Sequence, residues 1–297
     1  MTLNQLTILR ISTDGDHPVW ADLYTPDGQS GVSSLGGAIV VLCHGLKGYR
    51  RWAFIPRLGD SLRQAGLAAL AIDFSHNGTA GGDGDASDGR VYPRPELFRQ
   101  NTLDRERRDL SSVIRWIRKG GDGRVDPAVR IGLWGHSRGG GSVLLNALDD
   151  PADIAAVATW SATAHADIYT PRQKARWREA GEYDFLENAS GERLAMGVGF
   201  LDDLESRHAE YTLADRAVSL TVPHLIVHGD MDLVIPVHNA ERYCDAGSAL
   251  AEKKLVRLRT GHTFGIGKID ESNPLREAIE VTVDWFRRFL LNPGEDA

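Results

Sequence analysis

A serine between two glycines is the first feature of this chain that could carry chemistry. Gly135, Ser137 and Gly139 fit the pattern G-x-S-x-G, with the apolar run RIGLW before them and GGGSVLLNAL after the serine turn. Glycine tolerates backbone angles that a Cβ forbids, so the chain can bend sharply at this point. A strand before the turn and a helix after it would raise the Ser137 hydroxyl above the carboxyl end of a sheet. The pattern therefore predicts a nucleophile, while a plain strand-to-helix turn is the alternative interpretation.

The nucleophile needs a base, and the base needs an acid. A serine hydroxyl is weak until a base accepts its proton, and His262, in RTGHTFG after the last predicted strand, is the best-placed base. A carboxylate must then fix the tautomer of the histidine and stabilise the imidazolium. In VHGDMDLVIP we predict Asp232 as this acid, with Asp230 as the alternative. His136 precedes the serine, so we expect its side chain to point away and pack beside the turn.

Acyl transfer also requires two N–H donors for the negative charge that develops on the attacked carbonyl oxygen. We expect one donor from the backbone of Arg138, the residue after the serine. The second is expected from the backbone of Leu46, because the His-Gly pair in VLCHGLKG lets an early strand turn toward the serine. Together with Ser137, Asp232 and His262, these donors complete the parts that nucleophilic attack on an acyl carbon requires.

Two further patterns invite a metal interpretation that their spacing does not support. His224 and His228 have i, i+4 spacing, but a strand would separate them widely and no third ligand is evident. In the Gly/Asp-rich stretch GGDGDASDG, an EF-hand frame from Asp83 places Asp88 where glycine is required and Arg94 at the closing glutamate position. We therefore expect neither a metal ion nor an organic cofactor.

Short apolar, β-branched runs alternate with longer stretches of helical periodicity. This alternation predicts an α/β fold with a mostly parallel, doubly wound sheet and helices on both faces. The predicted strands are 38–43, 67–72, 130–135, 154–160, 224–229 and 254–260, and the predicted helices are 54–66, 104–120, 142–150, 237–247 and 275–291. Before them, residues 6–26 alternate apolar and polar around an Asp-Gly turn, which predicts a hairpin at the sheet edge.

Two segments interrupt the alternation within what we expect to be a single domain over 1–297. Residues 77–95 are rich in Gly and Asp and are expected to form a long surface loop. Residues 162–216, between the sixth and seventh strands, are expected to form a small helical cap whose aromatic side chains mostly pack on the sheet, although some could line a pocket. The acids of this segment could anchor a substrate amine or form a solvated helix face; they are Glu179, Glu182, Asp184 and Glu187.

The composition narrows the possible partners. The chain has 297 residues, 42% of them hydrophobic and 25% charged, and a formal net charge of −7 at pH 7. This acidic balance, without a basic patch interleaved with aromatics, argues against nucleic acid and anionic membrane surfaces as partners. No apolar run approaches the roughly 18 residues of a membrane span. The first residues lack a secretory signal pattern, so a cytoplasmic location is expected.

Four stretches, in their order along the chain, resemble the α/β-hydrolase superfamily. CHGLKG is similar to its oxyanion loop, GHSRGG to its nucleophile elbow, HGDMDLVIP to its acid loop and GHTF to its histidine loop. Within the superfamily the chain most resembles the serine esterases of the dienelactone-hydrolase-like and feruloyl-esterase-like group. The resemblance implies hydrolysis of a small-molecule carboxylic ester through an acyl-serine intermediate. Ser137 stands where dienelactone hydrolases proper use cysteine, and DFSHNG differs from the arginine-glycine-histidine-glycine sequence that often follows the fourth strand.

Other functions would use the same fold. An aminopeptidase-type peptidase or an acyltransferase would need the same serine, acid and histidine, whereas a non-catalytic binding protein would need none of them. Dependence on a free amine would indicate an aminopeptidase, and transfer to an added alcohol would indicate an acyltransferase. The sequence specifies neither the natural ester nor the oligomeric state.

Overall fold

The computed structural model describes residues 6–29, 34–79, 92–187, 193–245, 251–266 and 272–292. Ten strands lie in these ranges: β1 (Leu6–Ile11), β2 (Val19–Tyr24), β3 (Ala38–Cys43), β4 (Ala68–Asp73), β5 (Arg130–His136), β6 (Ile154–Trp160), β7 (Glu182–Glu187), β8 (Arg193–Gly197), β9 (His224–Gly229) and β10 (Lys253–Leu258). The same ranges contain nine α-helices: α1 (Ile55–Gln64), α2 (Pro95–Arg99), α3 (Leu103–Arg118), α4 (Arg138–Asp149), α5 (Pro171–Ala180), α6 (Val198–Ser206), α7 (Leu213–Arg216), α8 (His238–Asp245) and α9 (Ser272–Phe286).

Eight of the strands form one sheet in the order β1-β2-β4-β3-β5-β6-β9-β10. β1 pairs with β2 and β2 pairs with β4 in the antiparallel sense, so the predicted hairpin lies at the sheet edge. All the other neighbours in this sheet are parallel. The predicted mostly parallel sheet is therefore confirmed, and the carboxyl ends of β3, β5, β6, β9 and β10 lie along one edge.

Helices cover both faces of this sheet, as the apolar strand sequences predict. All six side chains of β3 are buried, and alternate ones belong to two different apolar clusters. One cluster packs the sheet against α3, α4 and α8, and the other packs it against α1 and α9. Burial of each aliphatic side chain contributes roughly 1.5–3 kcal/mol relative to exposure. The apolar clusters on both faces therefore stabilise the sheet and fix the position of its carboxyl edge.

Local sequence signals define α3, which lies beside the sheet edge that carries the candidate site. The Thr102 hydroxyl caps its first turn by accepting a hydrogen bond from the Arg105 N–H at 3.1 Å. Acidic residues lie in the first turn and arginines in the last turn, where each charge favours the helix dipole. Leu110, Val113 and Ile117 form a buried stripe that faces the sheet.

The segment predicted as a helical cap, 162–216, is mixed rather than helical. It contains α5, α6 and α7, but β7 and β8 also pair there as a separate antiparallel two-stranded sheet. Gly181 ends α5 with a φ of 76°, and the chain then runs extended because β8 satisfies its backbone groups. β6 precedes this segment in the chain and β9 follows it, and the two strands pair directly with each other. The segment therefore does not interrupt the main sheet.

Part of the predicted loop 77–95 lies outside the described residues, including the whole Gly/Asp-rich stretch 81–89. The described end of that loop enters α2 at Pro95, the first helical position, where the missing N–H of proline is tolerated. Across the described ranges, no helix has both the length and the apolar content that crossing a membrane would demand.

Candidate active site

Ser137 lies at the sharp turn between β5 and α4, at the carboxyl edge of the sheet. Its φ of 53° and ψ of −121° are unusual for a residue with a Cβ. The turn depends on glycine at both flanks. A Cβ on Gly135 would lie 2.3 Å from the Gly139 carbonyl oxygen, and a Cβ on Gly139 would lie 2.4 Å from the His44 carbonyl oxygen. The G-x-S-x-G spacing thus lets β3, β5 and α4 approach closely while the serine side chain remains at the top of the turn.

Asp232 and His262 meet at the ends of the last two strands of the sheet. Asp232 follows β9 and is buried, and His262 follows β10. The His262 Nδ1 lies 2.8 Å from Asp232 Oδ2, so the carboxylate accepts the Nδ1–H. Asp232 Oδ1 accepts the backbone N–H groups of Val234 at 2.9 Å and Ile235 at 2.8 Å. Both carboxylate oxygens are therefore fixed, and the imidazole is held with Nε2 available as an acceptor.

Asp230, the alternative acid, faces elsewhere. Its carboxylate pairs with Arg257 at 2.6 Å on the surface, where both side chains are substantially exposed.

Burial of Asp232 raises its pKa, but the hydrogen bonds from His262 and the Ile235 N–H outweigh burial, so its pKa lies below the usual value. Asp232 is therefore ionised at neutral pH and can stabilise a positive charge on His262.

Ser137 and His262 line the same cavity, which has a volume of about 410 Å³. In the part of the chain that the structure describes, the Ser137 hydroxyl forms no hydrogen bond with the His262 ring, and such contacts commonly tighten only when substrate binds. The wall is largely apolar; it includes Leu46, Trp52, Leu103, Ile168, Phe200 and Leu213. A cavity of this size and composition suits a small organic molecule.

The two predicted oxyanion donors also lie at this cavity. Leu46 follows β3 and Arg138 begins α4, and both line the wall beside Ser137. Within the described ranges, neither backbone N–H is donated to a protein acceptor. Two N–H groups beside a serine are suited to bind a carbonyl oxygen that gains negative charge.

His44 contacts the backbone of the predicted oxyanion loop, a contact that the sequence did not indicate. Its Nδ1 donates to the Gly45 carbonyl at 2.8 Å, and its Nε2 accepts from the Asn77 amide at 3.2 Å and the Phe74 N–H at 3.3 Å. Burial is the main cause of its lowered pKa, so the ring stays neutral and can accept at Nε2. Residues 73–78, which depart from the family pattern, therefore contact the predicted oxyanion loop through the His44 ring.

His136 packs beside the turn and also contacts the loop of His262, a contact that the sequence did not indicate. Its Nε2 lies 3.0 Å from the His262 carbonyl oxygen, which can only accept, so Nε2 carries the proton. The ring stacks on Trp52 with centroids 5.6 Å apart. Burial lowers the pKa of His136 to about 3, which keeps the ring neutral. His136 thus ties the loop that carries the candidate base to the turn that carries the candidate nucleophile.

The two histidines of the strand β9 contact the protein through Nε2, whereas the buried Nδ1 of each ring has no hydrogen-bond partner among the described residues. His224 Nε2 lies 2.8 Å from the Thr159 hydroxyl, and His228 Nε2 donates to the Ile235 carbonyl at 2.7 Å. His228 Nε2 also lies 3.5 Å from Asp232 Oδ2. His228 therefore contacts the middle of the acid loop at Asp232 and its later part at Ile235.

The aromatic side chains of 162–216 divide between the two roles considered above. Tyr169 and Phe200 line the cavity, whereas Trp177 and Tyr211 are buried in the apolar core. Of the acids considered as amine anchors, Glu182 pairs with arginines at the surface. The side chains of Asp184 and Glu187 lie outside the description. No aspartate or glutamate belongs to the cavity wall as far as the described residues define it.

Comparison with known proteins agrees with this architecture. The Esterase family model, described as "Putative esterase", matches residues 22–221. The "Uncharacterized 31.7 kDa protein in traX-finO intergenic region" of Escherichia coli is 23% identical over 283 residues, with 85% of this chain and 91% of that protein covered.

Two solved structures share the fold. Est1E from Butyrivibrio proteoclasticus, in its structure with bound ferulic acid, is 20% identical with a TM-score of 0.68, covering 96% of this chain and 100% of that chain. Dienelactone hydrolase from Anabaena variabilis is 19% identical with a TM-score of 0.60, covering 96% of this chain and 98% of that chain. The sheet order, the turn at Ser137 and these similarities show that the chain has the α/β-hydrolase fold. The chain belongs to the Esterase family, and its function is that of an esterase or, more broadly, a hydrolase.

Proposed function

We propose that this esterase is a serine carboxylesterase in which Ser137 is the nucleophile, His262 the base and Asp232 the acid. The observation that carries the proposal is the 2.8 Å contact between His262 Nδ1 and Asp232 Oδ2 beside the cavity that Ser137 also lines. This contact leaves His262 Nε2 as the free acceptor on the cavity side. The strained backbone of Ser137 supports the same role, because strain of this kind concentrates at functional sites.

The proposed reaction has two halves. Ser137 Oγ attacks the ester carbonyl carbon while its proton moves to His262 Nε2, and the backbone N–H groups of Leu46 and Arg138 bind the oxyanion. The tetrahedral intermediate then breaks its bond to the alcohol oxygen, which takes the proton from His262. A water molecule, deprotonated by the same histidine, attacks the acyl-serine and releases the carboxylic acid and the free Ser137 hydroxyl. Asp232 remains ionised throughout and stabilises the imidazolium.

The cavity wall gives no support to an aminopeptidase. A free α-amine would require a carboxylate or several acceptors at the wall, and no carboxylate lines it among the described residues. An acyltransferase would share the acyl-serine intermediate, and would differ only in the alcohol that replaces water. Product analysis with added alcohol therefore distinguishes a hydrolase from an acyltransferase, and we expect the free acid to be the main product.

Labelling with a fluorophosphonate tests the nucleophile. We expect stoichiometric labelling of the wild type at Ser137, located by peptide mass mapping, and no labelling of Ser137→Ala. Hydrolysis of para-nitrophenyl butyrate should fall by at least about 1,000-fold in Ser137→Ala, since binding and the oxyanion donors retain only residual catalysis. Ser219→Ala, at an exposed position, is the matched control and should behave as wild type. Ester hydrolysis that persists in Ser137→Ala would contradict the proposed mechanism.

A further inference from the structure

The charge of the cavity wall points to a class of substrate. Two residues with cationic side chains, Lys47 and Arg138, line the cavity, and the wall contains no carboxylate among the described residues. A low-dielectric cleft lined by charges of one sign attracts ligands of the opposite sign. This observation is separate from the serine, acid and histidine, because neither cationic side chain takes part in the proposed acyl transfer.

Arg138 is held in place by contacts behind the wall. Its Nη2 donates to Glu106 Oε1 at 2.5 Å, and its guanidinium carbon lies 5.2 Å above the ring of Phe200. Nη1 has only the thioether sulfur of Met196, at 3.5 Å, as a described acceptor. A thioether is a weak acceptor, so the guanidinium retains donor capacity at Nη1. The side chain is 14% exposed, and the residue belongs to the cavity wall.

Glu106 does not cancel the positive charge at the cavity surface. The carboxylate is buried and does not line the cavity. It also accepts hydrogen bonds from the Asn101 amide at 2.8 Å and the Ser142 hydroxyl at 3.1 Å, so three donors hold the carboxylate behind the wall. A ligand in the cavity therefore meets the guanidinium first, with the compensating carboxylate behind it. This arrangement fixes an arginine at a wall without removing its ability to bind an anion.

Lys47 adds a positive charge on the oxyanion loop. Its backbone has a φ of 61°, and the residue lines the cavity next to Leu46. Burial lowers the pKa of the Lys47 ammonium, and no described carboxylate offsets that effect. An anionic ligand would supply the missing counter-charge, because a nearby negative charge favours the protonated ammonium.

We propose that the cavity takes esters that bear a free carboxylate away from the scissile bond, such as hemiesters of dicarboxylic acids, with Arg138 as the carboxylate anchor and Lys47 as a supporting charge. The proposal rests on the ester hydrolysis proposed above and names its substrate class. Arginine suits this role because its planar fork matches a carboxylate. The apolar remainder of the wall fits the hydrocarbon between the carboxylate and the ester.

The test compares two substrates that differ in charge and by a single methyl group. Mono-para-nitrophenyl glutarate carries a free carboxylate, and its methyl ester is the neutral counterpart; the readout is the ratio of their kcat/KM values. We expect the wild type to favour the anionic substrate by about ten-fold or more, which corresponds to one charge-assisted hydrogen bond. The ratio should decrease toward unity at about 0.5 M salt, because salt screens a partly exposed charge.

Substitutions test which residues cause the preference for the anionic substrate. Arg138→Met should remove most of it and Lys47→Met a smaller part, whereas Lys119→Met, an exposed charge outside the cavity wall, should leave the ratio unchanged. Glu106→Gln keeps the hydrogen-bond acceptor but removes the negative charge, so it should increase the ratio. If Arg138→Met fails to fold because Glu106 is left unpaired, the double variant Arg138→Met with Glu106→Gln takes its place.

The outcomes separate the two proposals. Equal hydrolysis of both substrates, or an anionic preference that survives in both Arg138→Met and Lys47→Met, would overturn the carboxylate subsite and leave the serine mechanism intact. Hydrolysis of neither substrate, together with absence of fluorophosphonate labelling, would overturn the proposed function itself. A preference that is lost in Arg138→Met and increased in Glu106→Gln supports the subsite.

Discussion

Replacement of Asp232 by asparagine should show how much the buried carboxylate contributes to catalysis. The asparagine side-chain oxygen can still accept from the backbone N–H groups of Val234 and Ile235, so the acid loop should keep its shape. Its amide NH₂ would then face His262 Nδ1 in place of the carboxylate oxygen now 2.8 Å away. Because an NH₂ group donates, it favours the tautomer with the proton on Nε2, which cannot accept the proton of Ser137.

The size of the effect follows from the lost charge. At an effective dielectric constant of about 20, unit charges about 4 Å apart attract by about 4 kcal/mol. This attraction acts on the imidazolium that forms in the transition state, so its loss should lower kcat by about 1,000-fold. Because the interaction strengthens in the transition state, KM should change little.

Steady-state hydrolysis of para-nitrophenyl butyrate measures this effect, and thermal unfolding verifies that the variant is folded. Asp230→Asn is the matched control, since Asp230 lies two residues away and pairs with Arg257 at the surface. A surface pair contributes at most about 1 kcal/mol to stability, so this control should keep nearly wild-type kinetics. A loss of less than about ten-fold in Asp232→Asn, or an equal loss in Asp230→Asn, would refute the assignment of the acid.

Three further predictions concern the scaffold. Asn77→Ala removes the amide that donates to His44 at 3.2 Å; we expect it to lower the free energy of unfolding by about 1–3 kcal/mol in urea titrations, and to lower kcat more than it raises KM. Gly139→Ala would put a Cβ 2.4 Å from a backbone oxygen and should lower the melting temperature, whereas Gly199→Ala, in the open space of an exposed helical position, should raise stability by about 0.5–1 kcal/mol. Burial raises the pKa of Asp109 from 3.8 to about 7, so the folded chain keeps a proton that the unfolded chain releases. The free energy of unfolding of the wild type should therefore decrease from about pH 4 to pH 7. We expect this decrease to exceed that of Asp109→Asn by up to about 4 kcal/mol. An equal decrease in both proteins would contradict this pKa.

The sheet could be predicted because burial on both faces leaves a direct trace in the sequence. The strands of its centre are short, uninterrupted apolar runs, and the predicted strand 130–135 appears as Arg130–His136. The hairpin of β7 and β8 could not be predicted in the same way. Glu182–Glu187 alternates charged and aromatic residues only over its first four positions, a run too short to outweigh the helical and charged sequence around it, and its extended conformation depends on a partner strand further along the chain. Such pairing is a tertiary contact that local patterns do not encode.

The site shows a similar division. Ser137, Asp232 and His262 could be selected because their residue types and their positions after predicted strands follow from the sequence, and their catalytic roles remain predictions. The supporting roles of His44 and His136 could not be foreseen, because each ring donates to a backbone carbonyl. Every residue carries a backbone carbonyl, so such a bond has no signature in residue types. Only the folded positions of the loops reveal these contacts.

The direct pairing of β6 with β9 has an evolutionary consequence. The chain leaves the sheet after β6 and returns at β9, and these two strands pair directly with each other. Tyr169 and Phe200 of the cavity wall come from this intervening segment, whereas Ser137, Asp232 and His262 come from outside it. Substitutions in the segment can therefore change which molecules are accepted while the proposed reacting groups are inherited unaltered. Part of the cavity wall is therefore encoded in this segment, whereas Arg138 and Lys47 of the proposed carboxylate subsite lie outside it, beside the proposed reacting groups.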